Sequence, residues 1–199
     1  FFFTVYLVCI IMSTVGYSIL LIVIVKVNPM KFLRKAFEPL MIAFSTCTSS
    51  SALPVSMEVA PKKMVVPRDI ASFVLPLGCT AQMNGTCAYF GIVVLFAAQL
   101  YGVELSIQQQ IMLVVQATFL SVGCAATPQI CLVISLTLMT QMGLPLDAYA
   151  LVAGIYRIID QIHTSTNSVG DLVASVCISQ MEGELDHDIF NQEEAKKAA

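Results

Sequence analysis

The chain has 199 residues, 57% of them hydrophobic and 12% charged, with a net charge of −3. An ordinary soluble domain is about 25% charged, and a mean hydropathy of +0.83 points instead to a chain that crosses lipid. Basic residues gather only at Lys31 to Lys35 and Lys62 to Arg68, which leaves no electrostatic footprint for nucleic acid and excludes that partner.

Charge is missing from long stretches and concentrated between Glu182 and Lys197, as expected where an unpaired charge in hydrocarbon is costly. The seven cysteines (Cys9, Cys47, Cys79, Cys87, Cys124, Cys131 and Cys177) are scattered through apolar runs with no CxxC pair and no histidine at metal spacing. They read as reduced small hydrophobes. The opening Phe1-Phe2-Phe3 has no initiator methionine and no basic n-region, unlike a signal peptide, so the sequence is expected to begin inside a longer chain.

Residues 1–25 are apolar and uncharged, long enough to cross a hydrocarbon core of about 30 Å as a helix. Residues 26–180 are expected to form one substrate- and ion-binding core. Lys26, Lys31, Arg34 and Lys35 follow the first span, and Lys62, Lys63 and Arg68 follow the next apolar region, so the positive-inside rule puts both loops in the cytoplasm. Residues 37–66 are too short for two spans of about 20 residues each. Broken by Thr48-Ser49-Ser50-Ser51 and Pro54, they predict a re-entrant helical hairpin entering from the cytoplasm.

Residues 70–100 predict a crossing interrupted by Pro76, Gly78 and the polar run Thr80 to Thr86, that is, two half-helices with an unwound joint. Tyr101 to Gln110 carries Glu104 and no Lys or Arg, as an outer loop should. Residues 107–142 predict a second hairpin, from outside, with its tip at Ser121-Val122-Gly123-Cys124-Ala125-Ala126-Thr127-Pro128, which cannot remain regular helix. Residues 147–180 predict a long polar span, and residues 181–199 an acidic tail in the cytoplasm.

The fold class is therefore an all-α membrane protein: transmembrane helices with two re-entrant hairpins and a broken helix. A span plus a Ser/Gly/Pro-tipped hairpin occurs twice with opposite entry sides, the inverted-repeat architecture of secondary transporters. Irregular backbone cannot face lipid, so both tips must pack against protein or line a hydrated cavity.

In the last helix Asp160, Thr164, Asn167 and Asp171 are spaced by 4, 3 and 4 residues, which keeps all four on one stripe. Arg157 and His163 flank it. One reading makes Arg157 and Asp160 a helix-internal pair and the rest interhelical polar packing; the other makes the stripe functional, the default for ionisable groups inside a membrane. The joint Gly78-Cys79-Thr80-Ala81-Gln82-Met83-Asn84-Gly85-Thr86 offers freed carbonyls and side-chain oxygens, which a dehydrated Na⁺ needs; a proline kink with internally satisfied groups fits equally. The Ser49 to Ser51 and Ser121 to Pro128 tips expose amides at helix ends, where an anionic carboxylate is favoured.

These residues together resemble the dicarboxylate/amino acid:cation symporters, the family of the glutamate transporters, over nearly the whole chain. Thr48-Ser49-Ser50-Ser51-Ala52-Leu53-Pro54 is similar to the family's serine-rich first tip ending in Leu-Pro. Gln82-Met83-Asn84-Gly85-Thr86 resembles its Asn-Met-Asp-Gly-Thr motif with two changes, and Ser121 to Pro128 matches Ser-x-Gly-x-Ala-x-x-Pro. Asp160, His163, Thr164, Asn167, Gly170 and Asp171 match Asp-x-x-Arg-Thr-x-x-Asn-x-x-Gly-Asp except that His163 replaces the arginine.

The resemblance implies sodium-coupled symport of a small anionic or zwitterionic solute, an amino acid or dicarboxylate, by elevator-like alternating access in the plasma membrane. It implies substrate contacts at Ser49, Ser50, Thr86, Asp160, His163, Thr164 and Asn167, with Asp160 holding the ammonium. One Na⁺ site would use Asp171 with carbonyls of Gly78 and Asn167; a second would use Thr80, the Met83 region, and the backbone from Ser121 to Cys124, and Gln82, which stands where the family has an asparagine, is a further cation-site candidate. A third family site uses the aspartate that is Asn84 here, so one or two Na⁺ are expected. The resemblance also implies N-terminal scaffold spans outside this sequence and a homotrimer for the full-length protein. Competing readings are a channel with serine-rich pore loops, a non-transporting remnant, and a membrane enzyme, for which no nucleophile–base pair is found.

Overall fold

The computed structural model describes residues 1–124 and 129–192, and every regular element among them is helical. Residues 125–128 of the second tip and 193–199 of the tail lie outside the described residues. Helix α1, Phe2–Val25, is continuous over 24 residues, about 36 Å at 1.5 Å per residue. It is not uniformly α-helical: π turns at Met12–Gly16 and Leu21–Val25 flank one α turn, Tyr17–Leu20.

Helix α2, Pro29–Thr46, starts at Pro29 rather than near Phe37. Asn28 accepts the Met30 N–H at 2.9 Å and Pro29 takes the first helical position, a cap and a proline that together fix the start. It ends at Cys47, in the left-handed region (φ 55), with Thr48 extended before α3, Ser49–Lys63. The turn of this helical pair is thus Cys47-Thr48, and the serines form the first turn of α3. The two helices run antiparallel, because the chain reverses at Cys47-Thr48 while Lys35 and Glu38 of α2 both meet Lys63 at the other end.

Helices α4, Arg68–Ala81, and α5, Asn84–Leu100, are separated only by Gln82 and Met83. The expected unwinding from Gly78 to Thr86 shrinks to two residues, since Pro76 removes one ladder hydrogen bond without ending the helix. Helix α6, Ile107–Val122, opens on a capping box between Ser106 and Gln109. Then come α7, Ile130–Gln141, α8, Asp147–Met181, and the short α9, His187–Gln192.

Helix α8 is the axis: α1 through α5 and α7 all pack on it. Along its length the surroundings change twice. Up to Ile159 it joins an apolar cluster with Val5, Tyr89, Phe90, Val93 and Met139. From Val169 it joins a second with Leu21, Phe32, Met64, Leu75 and Phe190. Between them Asp160 and the run from His163 to Ser168 are buried, with Asp171 just beyond.

Two devices hold this arrangement. Lys35, 8% exposed, donates to the carbonyls of Lys63 and Phe190 and stands 4.1 Å from the centre of the Phe190 ring, so one amine ties the end of α3 to α9. Glycine permits the closest helix approaches: a methyl on Gly85 would collide with the His163 carbonyl, whereas one on Gly91 would meet open space. Gly85→Ala is therefore expected to destabilise the protein by about 1–3 kcal/mol. Thermal unfolding in detergent should show a clear fall in Tm for Gly85→Ala and almost none for Gly91→Ala.

Candidate functional site

The break between α4 and α5 leaves two helix ends pointing at α8, a carbonyl end and an amide end. Asn167 of α8 closes the amide end. Its Oδ1 accepts the Gly85 N–H at 2.7 Å and the Thr86 N–H at 3.4 Å, and its Nδ2 donates to Thr86 Oγ1 at 2.9 Å and Met83 Sδ at 3.2 Å. The residue preceding α5, Met83, makes no side-chain cap, so the cap comes from another helix. Asn84, a capping candidate by sequence, lies in the first turn of α5 and instead donates from Nδ2 to the Tyr17 hydroxyl at 3.4 Å.

About two turns toward the N-terminus of α8, Asp160 Oδ1 accepts the Thr164 hydroxyl at 2.9 Å, and Oδ2 accepts the Gln129 N–H at 3.4 Å. Gln129 is left-handed (φ 66) just before α7, so the second helical pair reaches the site through its backbone. His163, 1% exposed, stacks on Tyr89 with ring centres 5.3 Å apart. Its Nδ1 lies 3.4 Å from Thr86 Oγ1, and its Nε2 lies 3.3 Å from both the Tyr156 hydroxyl and Asp160 Oδ1. The ring is thus walled in by hydroxyls and a carboxylate rather than projecting freely as a clamp.

At the carbonyl end of α4, Asp171 is 5% exposed, and its Oδ1 has no hydrogen-bond partner among the described residues. A methyl on Gly78 would stand 2.6 Å from that oxygen, so only glycine lets the carboxylate press on the α4 backbone. The Gly78 carbonyl accepts the Gln82 N–H at 2.8 Å. Neither Asp160 nor Asp171 pairs with a Lys or Arg among the described residues. Asp171, a buried carboxylate with an unpartnered oxygen, lies against the carbonyl end of α4, an arrangement of oxygens suited to a hard monovalent cation, and the orphaned Asp171 oxygen is the group such an ion would satisfy.

The other sequence candidates fall around this centre. Ser49 is buried at the start of α3, and Ser50 Oγ lies 4.0 Å from Cys79 Sγ of α4. Cys47 Sγ meets the Arg157 carbonyl at 3.8 Å, which brings the first tip to α8. Gln82 packs over Gly170, its Oε1 buried without a donor. Cys124 Sγ is 3.8 Å from Cys131 Sγ, and Cys131 in turn lies 3.9 Å from Thr86 Oγ1. Two side chains stay apart: Thr80 is exposed and donates to the Leu77 carbonyl, and the Ser121 hydroxyl turns back to the Thr118 carbonyl. Tyr17, Tyr89, Tyr156, Gln129 and Cys131 are neighbours that sequence reasoning missed. Only Gln129, directly after the Pro128 breaker, carried a signal.

The model of the sodium:dicarboxylate symporter family matches residues 1–181. The chain belongs to that family. It is 34% identical over 178 residues to an excitatory amino acid transporter of Caenorhabditis elegans, covering 88% of this chain and 35% of that protein. It is 39% identical over 153 residues to a proton/sodium-glutamate symport protein of Bacillus subtilis, covering 77% and 35%. Against the proton/glutamate-aspartate symporter of Escherichia coli it is 37% identical over 149 residues, covering 75% and 34%. The chain thus spans about a third of the length of these relatives. Membership makes this an all-α membrane protein of a family of symporters, not of enzymes.

The cross-helix cap makes a direct prediction. Asn167→Ala removes the acceptor for two amides at a cost of about 1–2 kcal/mol. Hydrogen exchange in the peptide spanning Met83 to Cys87 should quicken roughly tenfold, while exchange in the middle of α2 stays as it was. Unchanged protection at Gly85 and Thr86 would show that the cap does not hold α5.

Proposed function

We propose that this chain forms the substrate- and cation-binding core of a sodium-coupled symporter for a small amino acid or dicarboxylate. The observation that carries the reading is the orphaned, buried Asp171 oxygen against Gly78, about three turns along the same stripe of α8 from a second buried carboxylate, Asp160, that faces Thr164 and the backbone at the start of α7. Asp160 is suited to a substrate ammonium, and the amide end of α5 beside Thr86 and Asn167 to a substrate carboxylate. Asp171, with carbonyls of the α4 end and of Asn167, would hold Na⁺, whose gradient supplies the driving force. His163, enclosed by Tyr89, Tyr156 and Thr86, stands at the position of the family's arginine, so a second carboxylate on the substrate finds no permanent guanidinium there.

In this reading the two helical pairs are re-entrant hairpins gating from opposite sides, with the core moving as an elevator against scaffold spans contributed by the rest of a trimeric protein. The basic loops and the acidic tail lie on the cytoplasmic side of the plasma membrane, by the positive-inside rule.

The deciding experiment measures uptake of labelled amino acids and dicarboxylates by the full-length protein in liposomes, with an inward gradient of Na⁺ or of choline. Uptake should need Na⁺, and Na⁺ alone should raise Tm in detergent. In Asp171→Ala the Na⁺-dependent rise in Tm should vanish, because the carboxylate provides most of the attraction for a dehydrated cation. Equal uptake in Na⁺ and choline would defeat the reading, as would flux that shows neither saturation nor counterflow.

The number of coupled ions is a separate expectation. Asn84 carries no charge and its amide is committed to Tyr17, so a third cation site lacks the carboxylate that would offset dehydration. Reversal potentials of substrate flux should give a ratio of about two Na⁺ or fewer per substrate, the number left when that site is lost. Asn84→Asp should raise it.

A further inference from the structure

Tyr17 is the polar group that the first span sends into the joint. It is 3% exposed and sits on the short α turn between the two π turns of α1. π turns in an otherwise apolar helix re-aim side chains and cluster at functional sites. The Tyr17 hydroxyl donates to the Thr166 carbonyl of α8 at 3.0 Å and accepts from Asn84 Nδ2 of α5 at 3.4 Å. One turn earlier, Ser13 donates to Thr166 Oγ1 at 3.2 Å. The hydroxyl and the Gln82 amide together fill the space that a methyl on Gly170 would need. One phenol therefore touches both residues flanking Met83 and the α8 backbone between Asn167 and Asp160.

We propose that Tyr17 is a positioning residue: by hydrogen-bonding Asn84 and Thr166 it holds the broken-helix joint against α8 and so sets the affinity for the coupling cation. This rests on the cation-coupled reading above. A cation bound at Asp171 draws oxygens from the α4 end and from α8, and the cost of gathering them falls when the joint is already fixed. Packing alone does not require tyrosine, because phenylalanine fills the same volume. What the hydroxyl adds is its single donor, used on the Thr166 carbonyl, and its acceptor capacity, used by Asn84. Neither Asp160 and Thr164, which face the substrate ammonium, nor Gly85, Thr86 and Asn167, which face its carboxylate, make a hydrogen bond to Tyr17, so its effect should fall on the cation rather than on the substrate.

The test uses the full-length protein in liposomes, with Na⁺ titrated at fixed substrate, in Tyr17→Phe, Asn84→Ala and the double variant. The half-saturating Na⁺ concentration should rise about fivefold in Asn84→Ala, the effect of one lost neutral hydrogen bond, and at least as much in Tyr17→Phe, which also loses the bond to the Thr166 carbonyl, with substrate affinity at saturating Na⁺ changed less than about twofold. The double variant should be no worse than Tyr17→Phe alone, since that change already removes the Asn84 contact. A purely structural role would lower Tm without moving Na⁺ dependence. If Tyr17→Phe does not reach the membrane, Asn84→Ala carries the test: an unmoved half-saturation point overturns the proposal. Additive effects, or a Tyr17→Phe curve that overlays the unmodified protein, also overturn it. Uptake by the unmodified protein that ignores Na⁺ overturns the functional reading itself, and the role given to Tyr17 falls with it.

Discussion

A helix cut inside a membrane exposes backbone amides that lipid cannot satisfy, and in this protein a single side chain from another helix answers them. Asn167 is the residue on which the remaining geometry turns. Its carbonyl oxygen takes the Gly85 and Thr86 amides while its amino group reaches Thr86 and Met83, so the cut end of α5 is registered against one position of α8. That register decides which α8 carbonyl Gly85 meets and where Asp160 and Asp171 stand relative to the joint. Glycine works in the same direction at Gly78, Gly85 and Gly170, each placed where any side chain would collide with the facing group.

The polar layer is tolerable because it is thin and enclosed. Apolar clusters lie on both sides of it along α8, which lowers the local dielectric and strengthens every electrostatic interaction inside. The same enclosure makes an unpaired oxygen expensive. Most of the layer avoids that cost through short internal bonds such as Thr164 to Asp160 and Ser165 to the Gln161 carbonyl. Ser168 Oγ, Asp171 Oδ1 and Gln82 Oε1 do not. The two acceptor-only oxygens among them, Asp171 Oδ1 and Gln82 Oε1, belong to the joint, which is where the layer lacks a positive partner.

Much of this was legible in the sequence, for identifiable reasons. Apolar runs and helix breakers located the elements, and the 4, 3, 4 spacing put Asp160, Thr164, Asn167 and Asp171 on one stripe, because those signals depend only on local geometry. The extent of the joint was not legible. Pro76 and Gly78 read as unwinding signals, yet both lie within α4, where the proline forgoes one hydrogen bond and the glycine serves a close approach to Asp171. The serine run read as a tip, while Cys47 takes the left-handed turn and the serines start α3. The start of α2 carries a local signal in Asn28-Pro29, a cap followed by a proline at the first helical position. Tyr17 could not have been found, since one tyrosine in an apolar span looks the same facing lipid or a neighbouring helix. The orientation of His163 depends on Tyr89 and Tyr156, which come from two separate helices.

The length of α8 has a mechanical consequence. Its 35 residues extend about 52 Å, against hydrocarbon about 30 Å thick, and at a common tilt of about 20° only some 21 residues, by estimate, fit within it. The excess must emerge at the two faces of the bilayer. Thr164, at the centre of the helix from Asp147 to Met181, is also at the centre of the buried polar layer. A change in bilayer thickness is then taken up by the ends of α8, as turns enter or leave the headgroup region, while the carboxylates keep their depth. The elastic strain of the surrounding lipid is thereby kept away from the buried polar layer.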